Sequence, residues 1–112
     1  MKDKVNILGT EYTIRIQNKH TNPKLEDANG LCEMYSKEIV IDDFAEVRED
    51  KLSVNNFDEF INKVVRHEII HAYFGESGLR CQSDFAQNEE LVDWIAIQLP
   101  KIVKTCEELN VL

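Results

Sequence analysis

Basic residues are in short supply: 13 lysines and arginines stand against 21 aspartates and glutamates, a formal net charge of −8. A sequence-independent nucleic-acid binder needs a basic face to displace counterions from phosphates, so the balance argues against that class. It argues on the same ground against an anionic membrane surface as the main partner. Long apolar runs are missing too. No stretch nears the ~20 apolar residues of a membrane span, and the opening residues, Met1 to Thr10, lack the apolar core of a secretory signal. Cysteine is sparse: Cys32, Cys81 and Cys106 are odd in number and show no CxxC spacing, which fits reduced thiols and not a disulfide framework. These absences point to a cytoplasmic protein. Repeats, low-complexity tracts and linkers are absent as well, and 112 residues suit one compact domain spanning 1–112. With 43% hydrophobic and 30% charged residues, the chain has the balance of a globular domain rather than a disordered one.

What is present divides into two halves. Val5 to Leu8 runs into a turn at Gly9-Thr10-Glu11, and Tyr12 to Ile16 then alternates large and polar residues with the period of a strand. His20 to Asn29 is polar, contains Pro23 and reads as a loop. Beyond the turn dipeptide Asn29-Gly30, two short apolar runs, Leu31 to Tyr35 and Glu38 to Asp42, flank Ser36-Lys37 as a hairpin would. Three or four such strands predict a small, mostly antiparallel sheet.

The second half predicts helices. Asn56 followed by Glu59 reads as a capping box. Phe57, Phe60, Ile61, Val64, Val65, Ile69 and Tyr73 then recur at three- and four-residue spacing, an amphipathic helix of about five turns that Gly75 and Gly78 end. After a loop to about Ala86, a second helix runs from near Gln87 through Ile97. Pro100 is expected to kink or break it, leaving a short third helix from Lys101 to about Leu109. The expected fold class is α+β.

The first of these helices contains His67-Glu68-Ile69-Ile70-His71, an HExxH sequence. Four helical residues advance about 400°, so His67 and His71 share a face one turn apart, and two imidazoles so placed can grip one Zn²⁺. Glu68 borders that face and can serve a water on the metal as general base. A catalytic zinc takes a third protein ligand. The next helix offers Asn88-Glu89-Glu90-Leu91-Val92-Asp93, with Glu89 eighteen residues after His71. A loop of about ten residues lets that helix turn back and present a carboxylate. Glu89 and Glu90 both qualify as the ligand. Asp93 lies one turn beyond Glu89, where it can accept the free ring N–H of a ligating histidine and fix its tautomer.

HExxH followed by NExxxD one helix later resembles the gluzincin metallopeptidases, and the small size is similar to minimal gluzincins and to the ImmA/IrrE-like peptidases of phages and mobile elements. The close match covers about residues 64–97. The resemblance implies a zincin-like fold and one Zn²⁺ per chain held by His67, His71 and Glu89. It assigns Glu68 as the catalytic base, places Asp93 behind a zinc histidine, and favours Glu89 over Glu90. It further implies a zinc-dependent hydrolase acting on a protein or peptide, such as a regulatory protein of the repressor kind. The alternative is a zinc-binding regulatory or interaction module without turnover.

No oxyanion-stabilising residue is selected by spacing: His20, Tyr35, Tyr73 and Arg80 are all candidates. Cys81, in the loop between the two zinc helices, is a further candidate ligand, although a free cysteine is more often a small apolar residue. Trp94 is expected in the core and His20 in solvent. The apolar C-terminal residues Leu109, Val111 and Leu112 can pack on the core, enter the cleft or form an interface.

Overall fold

The computed structural model describes residues 1–45 and 56–112. Four strands form one sheet in the order β1-β2-β4-β3, made of β1 (Lys4–Ile7), β2 (Thr10–Gln17), β3 (Gly30–Glu33) and β4 (Glu38–Asp42). The β1–β2 and β3–β4 pairs are antiparallel and the central β2–β4 pair is parallel, so the sheet is mostly antiparallel as expected. Ile7 pairs with Thr10, which places the first turn at Leu8-Gly9 and moves Thr10 and Glu11 into β2. Both turn residues have positive φ, +50° at Leu8 and +92° at Gly9, as a two-residue connection matched to strand twist requires. The second hairpin forms, with Leu31 opposite Val40 and Glu33 opposite Glu38, but β3 stops at Glu33, so Met34 and Tyr35 join Ser36-Lys37 in the turn.

Two helices follow, α1 (Phe57–Glu76) and α2 (Glu89–Glu108). The apolar stripe of α1 packs Val64, Val65 and Ala72 on Ile7, Tyr12, Ile39 and Ile41 of the sheet. Its other flank sets Ile70 against Val92 and Ala96 of α2. The layers are therefore sheet, α1, α2, with the HExxH helix in the middle. The last turn of α1 carries Gly75, where a Cβ would come within 1.7 Å of Met34 Cε, so the glycine leaves room for the end of the Met34 side chain. Gly78, at φ +83°, then turns the chain into two short 3-10 turns, Leu79–Cys81 and Asp84–Gln87.

Three expectations fail in this half. Asn56 precedes α1 but its side chain makes no capping bond. A capping side chain is aimed by extended backbone, whereas Asn56 sits in the left-handed region at φ +56°. Trp94 is exposed and not in the core, because α2 meets α1 through Val92 and Ala96, on another side of the helix. The short third helix does not exist as a separate element: α2 runs through Pro100 to Glu108. A proline inside a helix orphans the carbonyl four residues back. Here that carbonyl belongs to Ala96, and Arg66 of α1 donates its Nε–H to it at 2.7 Å. The missing backbone donor is replaced by a side chain from the neighbouring helix.

Candidate metal centre

α1 and α2 run antiparallel, so the turn of α1 bearing His67 and His71 faces the first turn of α2. Asn88 starts α2 by accepting the Leu91 N–H at 2.8 Å. With the helix begun there, Glu89 falls in the first turn, where the helix dipole favours a carboxylate, and Asp93 one turn on. Glu90 is exposed and takes no part in the cluster.

Nε2 of His67 and Oε2 of Glu89 are 2.9 Å apart, Nε2 of His71 and the same oxygen 3.2 Å, and the two histidine Nε2 atoms 3.2 Å. Nδ1 of His67 lies 3.1 Å from Oδ1 of Asp93, which also accepts from Lys63 Nζ at 3.0 Å. A carboxylate can only accept, so Nδ1 of His67 carries the proton in that contact. With the ring neutral, its Nε2 turns a lone pair toward Glu89, and Nε2 of His71 faces the same carboxylate oxygen. A metal cation at the centre would satisfy all three donor atoms. Donors around a tetrahedral ion at about 2.0–2.1 Å stand about 3.3 Å apart, close to the spacings found. The donor set, two imidazoles and one carboxylate, is one that zinc takes in catalytic sites. The residues fit a metal ion.

Burial pushes His71 below its ordinary pKa, which keeps the ring neutral as a ligand must be. Burial works against charge on Glu89 too, but His71 and His67 outweigh it and hold that carboxyl below its ordinary value. Asp93 behaves likewise, with Lys63 and His67 overcoming its partial burial. Glu68 is different. It is buried, and burial pushes its carboxyl up to about 7, helped by Glu89 and opposed by His67 and Arg80. A carboxyl near neutrality is suited to take and return a proton.

His67, Glu68, His71 and Glu89 line one cleft of about 470 Å³, together with Asp27 and Asp93. Its opposite wall is the chain from Asp27 into the edge strand β3. Gly30, read from sequence as a turn residue, has a closer role. A Cβ there would lie 3.1 Å from both Glu68 Cγ and the Val40 carbonyl oxygen, so the glycine lets Glu68 pack against the strand. Nothing within the sequence near Gly30 signals this, since its partner is 38 residues away.

The remaining candidates separate cleanly. Arg80 lines the cleft, whereas His20, Tyr35 and Tyr73 do not. Cys81 is exposed and outside the cluster. Cys32 lines the cleft, but burial, with Glu68 adding to it, pushes its thiol up to about 12 and leaves it protonated. Leu109, Val111 and Leu112 are exposed and line neither cleft nor core. Among the described residues no helix is long and apolar enough to cross a membrane. No protein-family model, curated protein or solved structure matches the chain, so its function has to be read from these residues.

Proposed function

We propose that this chain is a zinc-dependent peptidase. The observation that carries the reading is the convergence of His67, His71 and Glu89 on one point, with the buried carboxyl of Glu68 on the same cleft wall. A zinc ion held there supplies Lewis acidity to a carbonyl oxygen and lowers the pKa of a water to about 7. Glu68 takes the proton from the attacking water as its oxygen bonds to the carbonyl carbon. It returns that proton to the amide nitrogen as the C–N bond breaks. Asp93 holds the His67 ring in the tautomer that leaves Nε2 free. A peptide suits the cleft better than a small ester, because β3 is an edge strand and an extended chain can add to such an edge. The resemblance to ImmA/IrrE-like peptidases alone favours one regulatory protein as substrate over general proteolysis.

Elemental analysis of the purified chain tests the metal. The expected result is one zinc per chain, lost in Glu89→Ala and kept in Glu90→Ala. Wild-type protein that takes up no zinc when it is supplied refutes the reading. Glu68→Gln then separates enzyme from binding module: it should retain zinc and lose cleavage of a fluorogenic peptide library. A module without turnover would show no cleavage in wild type either.

A further inference from the structure

Hydrolysis of a peptide bond puts a negative charge on the carbonyl oxygen, inside a cleft already lined by Asp27, Glu68, Glu89 and Asp93. Two cationic side chains line the same cleft. Lys63 is committed to Asp93 at 3.0 Å. Arg80 is not committed: its guanidinium forms no ion pair or hydrogen bond among the described residues. In a chain with 21 acidic residues that is unusual company for an arginine to lack.

Its backbone is held in the turn, and no partner among the described residues holds its head group. Gly78 turns the chain out of α1, and Arg80 occupies the middle of the 3-10 turn that follows. Gln87 Nε2 donates to the Arg80 carbonyl oxygen at 2.6 Å, tying this turn to the one that leads into α2. Arg80 lines the same cleft as His67, Glu68, His71 and Glu89, which puts it beside the reacting groups. A guanidinium remains charged at any physiological pH and presents a fork of N–H donors matched to two oxygens of an anion.

We propose that Arg80 is the anion-binding residue of this cleft, donating hydrogen bonds to the substrate oxygen that becomes negative as Glu68 takes up the proton of the attacking water. The assignment rests on the peptidase reading and adds the residue that spacing alone left open. Donors aimed at a developing charge are among the strongest contributors to catalysis.

Inorganic phosphate, a tetrahedral anion, tests the assignment without a known substrate. The full chain is loaded with zinc as wild type, Arg80→Gln and Arg80→Lys, and titrated calorimetrically with phosphate and, separately, with neutral imidazole, which reads the open metal position without needing a cation beside it. Phosphate affinity should fall about 10- to 100-fold in Arg80→Gln and be partly restored in Arg80→Lys. Zinc content and imidazole affinity should not change. Equal phosphate affinity in all three proteins overturns the assignment, and so does a parallel loss for phosphate and imidazole, which would mark a structural role. Either result leaves the peptidase standing. A chain that takes up no zinc overturns both.

Discussion

Replacing Glu68 by glutamine should stabilise the metal-free protein at neutral and alkaline pH. Glu68 is 6% exposed, and its carboxyl is pushed from 4.5 to about 7, first by burial. Folding therefore favours the protonated acid. The contribution of this group to stability is fully present below pH 4.5 and is lost as pH rises through about 7. Raising the carboxyl from 4.5 to about 7 corresponds to about 3 kcal/mol by pH 8. Glutamine keeps the shape of the side chain and never ionises. Urea denaturation in a chelator at pH 5, 6, 7 and 8 should show the two proteins drawing apart, Glu68→Gln the more stable by about 3 kcal/mol at pH 8 and by less than about 1 kcal/mol at pH 5. Zinc should shrink the gap, because a divalent cation beside Glu68 favours its charged form. Parallel stability profiles for the two metal-free proteins from pH 5 to 8 would refute the claim that Glu68 is desolvated.

Other outcomes follow from single features. Leu8 holds φ +50° in an exposed turn, so Leu8→Asn should raise stability by about 1 kcal/mol in thermal or urea melts; a loss would mean that the leucine packs in a way its exposure does not show. Arg66→Met should cost about 1–3 kcal/mol by stranding the Ala96 carbonyl, and much less in a Pro100→Ala background where the residue 100 N–H takes over. A double-mutant cycle with no coupling would dismiss that pairing. Gly30→Ala should displace Glu68 or the strand beside it and cost about 1–3 kcal/mol, read as a lower denaturation midpoint. Zinc should raise the denaturation midpoint of wild type, and the rise should vanish in His71→Ala.

The HExxH helix and its partner were legible in the sequence because both depend on local spacing. Apolar residues at three and four fixed α1, and one helical turn separates His67 from His71 and Glu89 from Asp93. The histidines and Glu89 meet because two periodic helices joined by a short loop have little choice but to pack antiparallel. What the sequence hid depends on partners far along the chain. Proline reads as a breaker until Arg66, thirty-four residues upstream, is seen replacing its missing donor. Gly30 reads as a turn until Glu68 is found against it. Trp94 reads as core because hydrophobicity says nothing about which side of a helix will meet its neighbour. Arg80 could not be chosen over His20, Tyr35 or Tyr73, since cleft lining belongs to the assembled chain alone.

The replacement of the Pro100 donor by Arg66 bears on the order of events in the life of the molecule. Arg66 and Lys63 grip α2 at the Ala96 carbonyl and at Asp93, one turn or less from the histidines, and both contacts are made between groups of the chain itself. With Asn88 starting the helix, they set the register in which Glu89 meets the histidines. Contacts of the polypeptide itself thus hold Glu89 and the histidines in register, whereas a zinc finger stays unfolded until its metal arrives. On the proposed reading, a metal would meet ligands already in register, and its supply rather than the folding of the chain would time the first action.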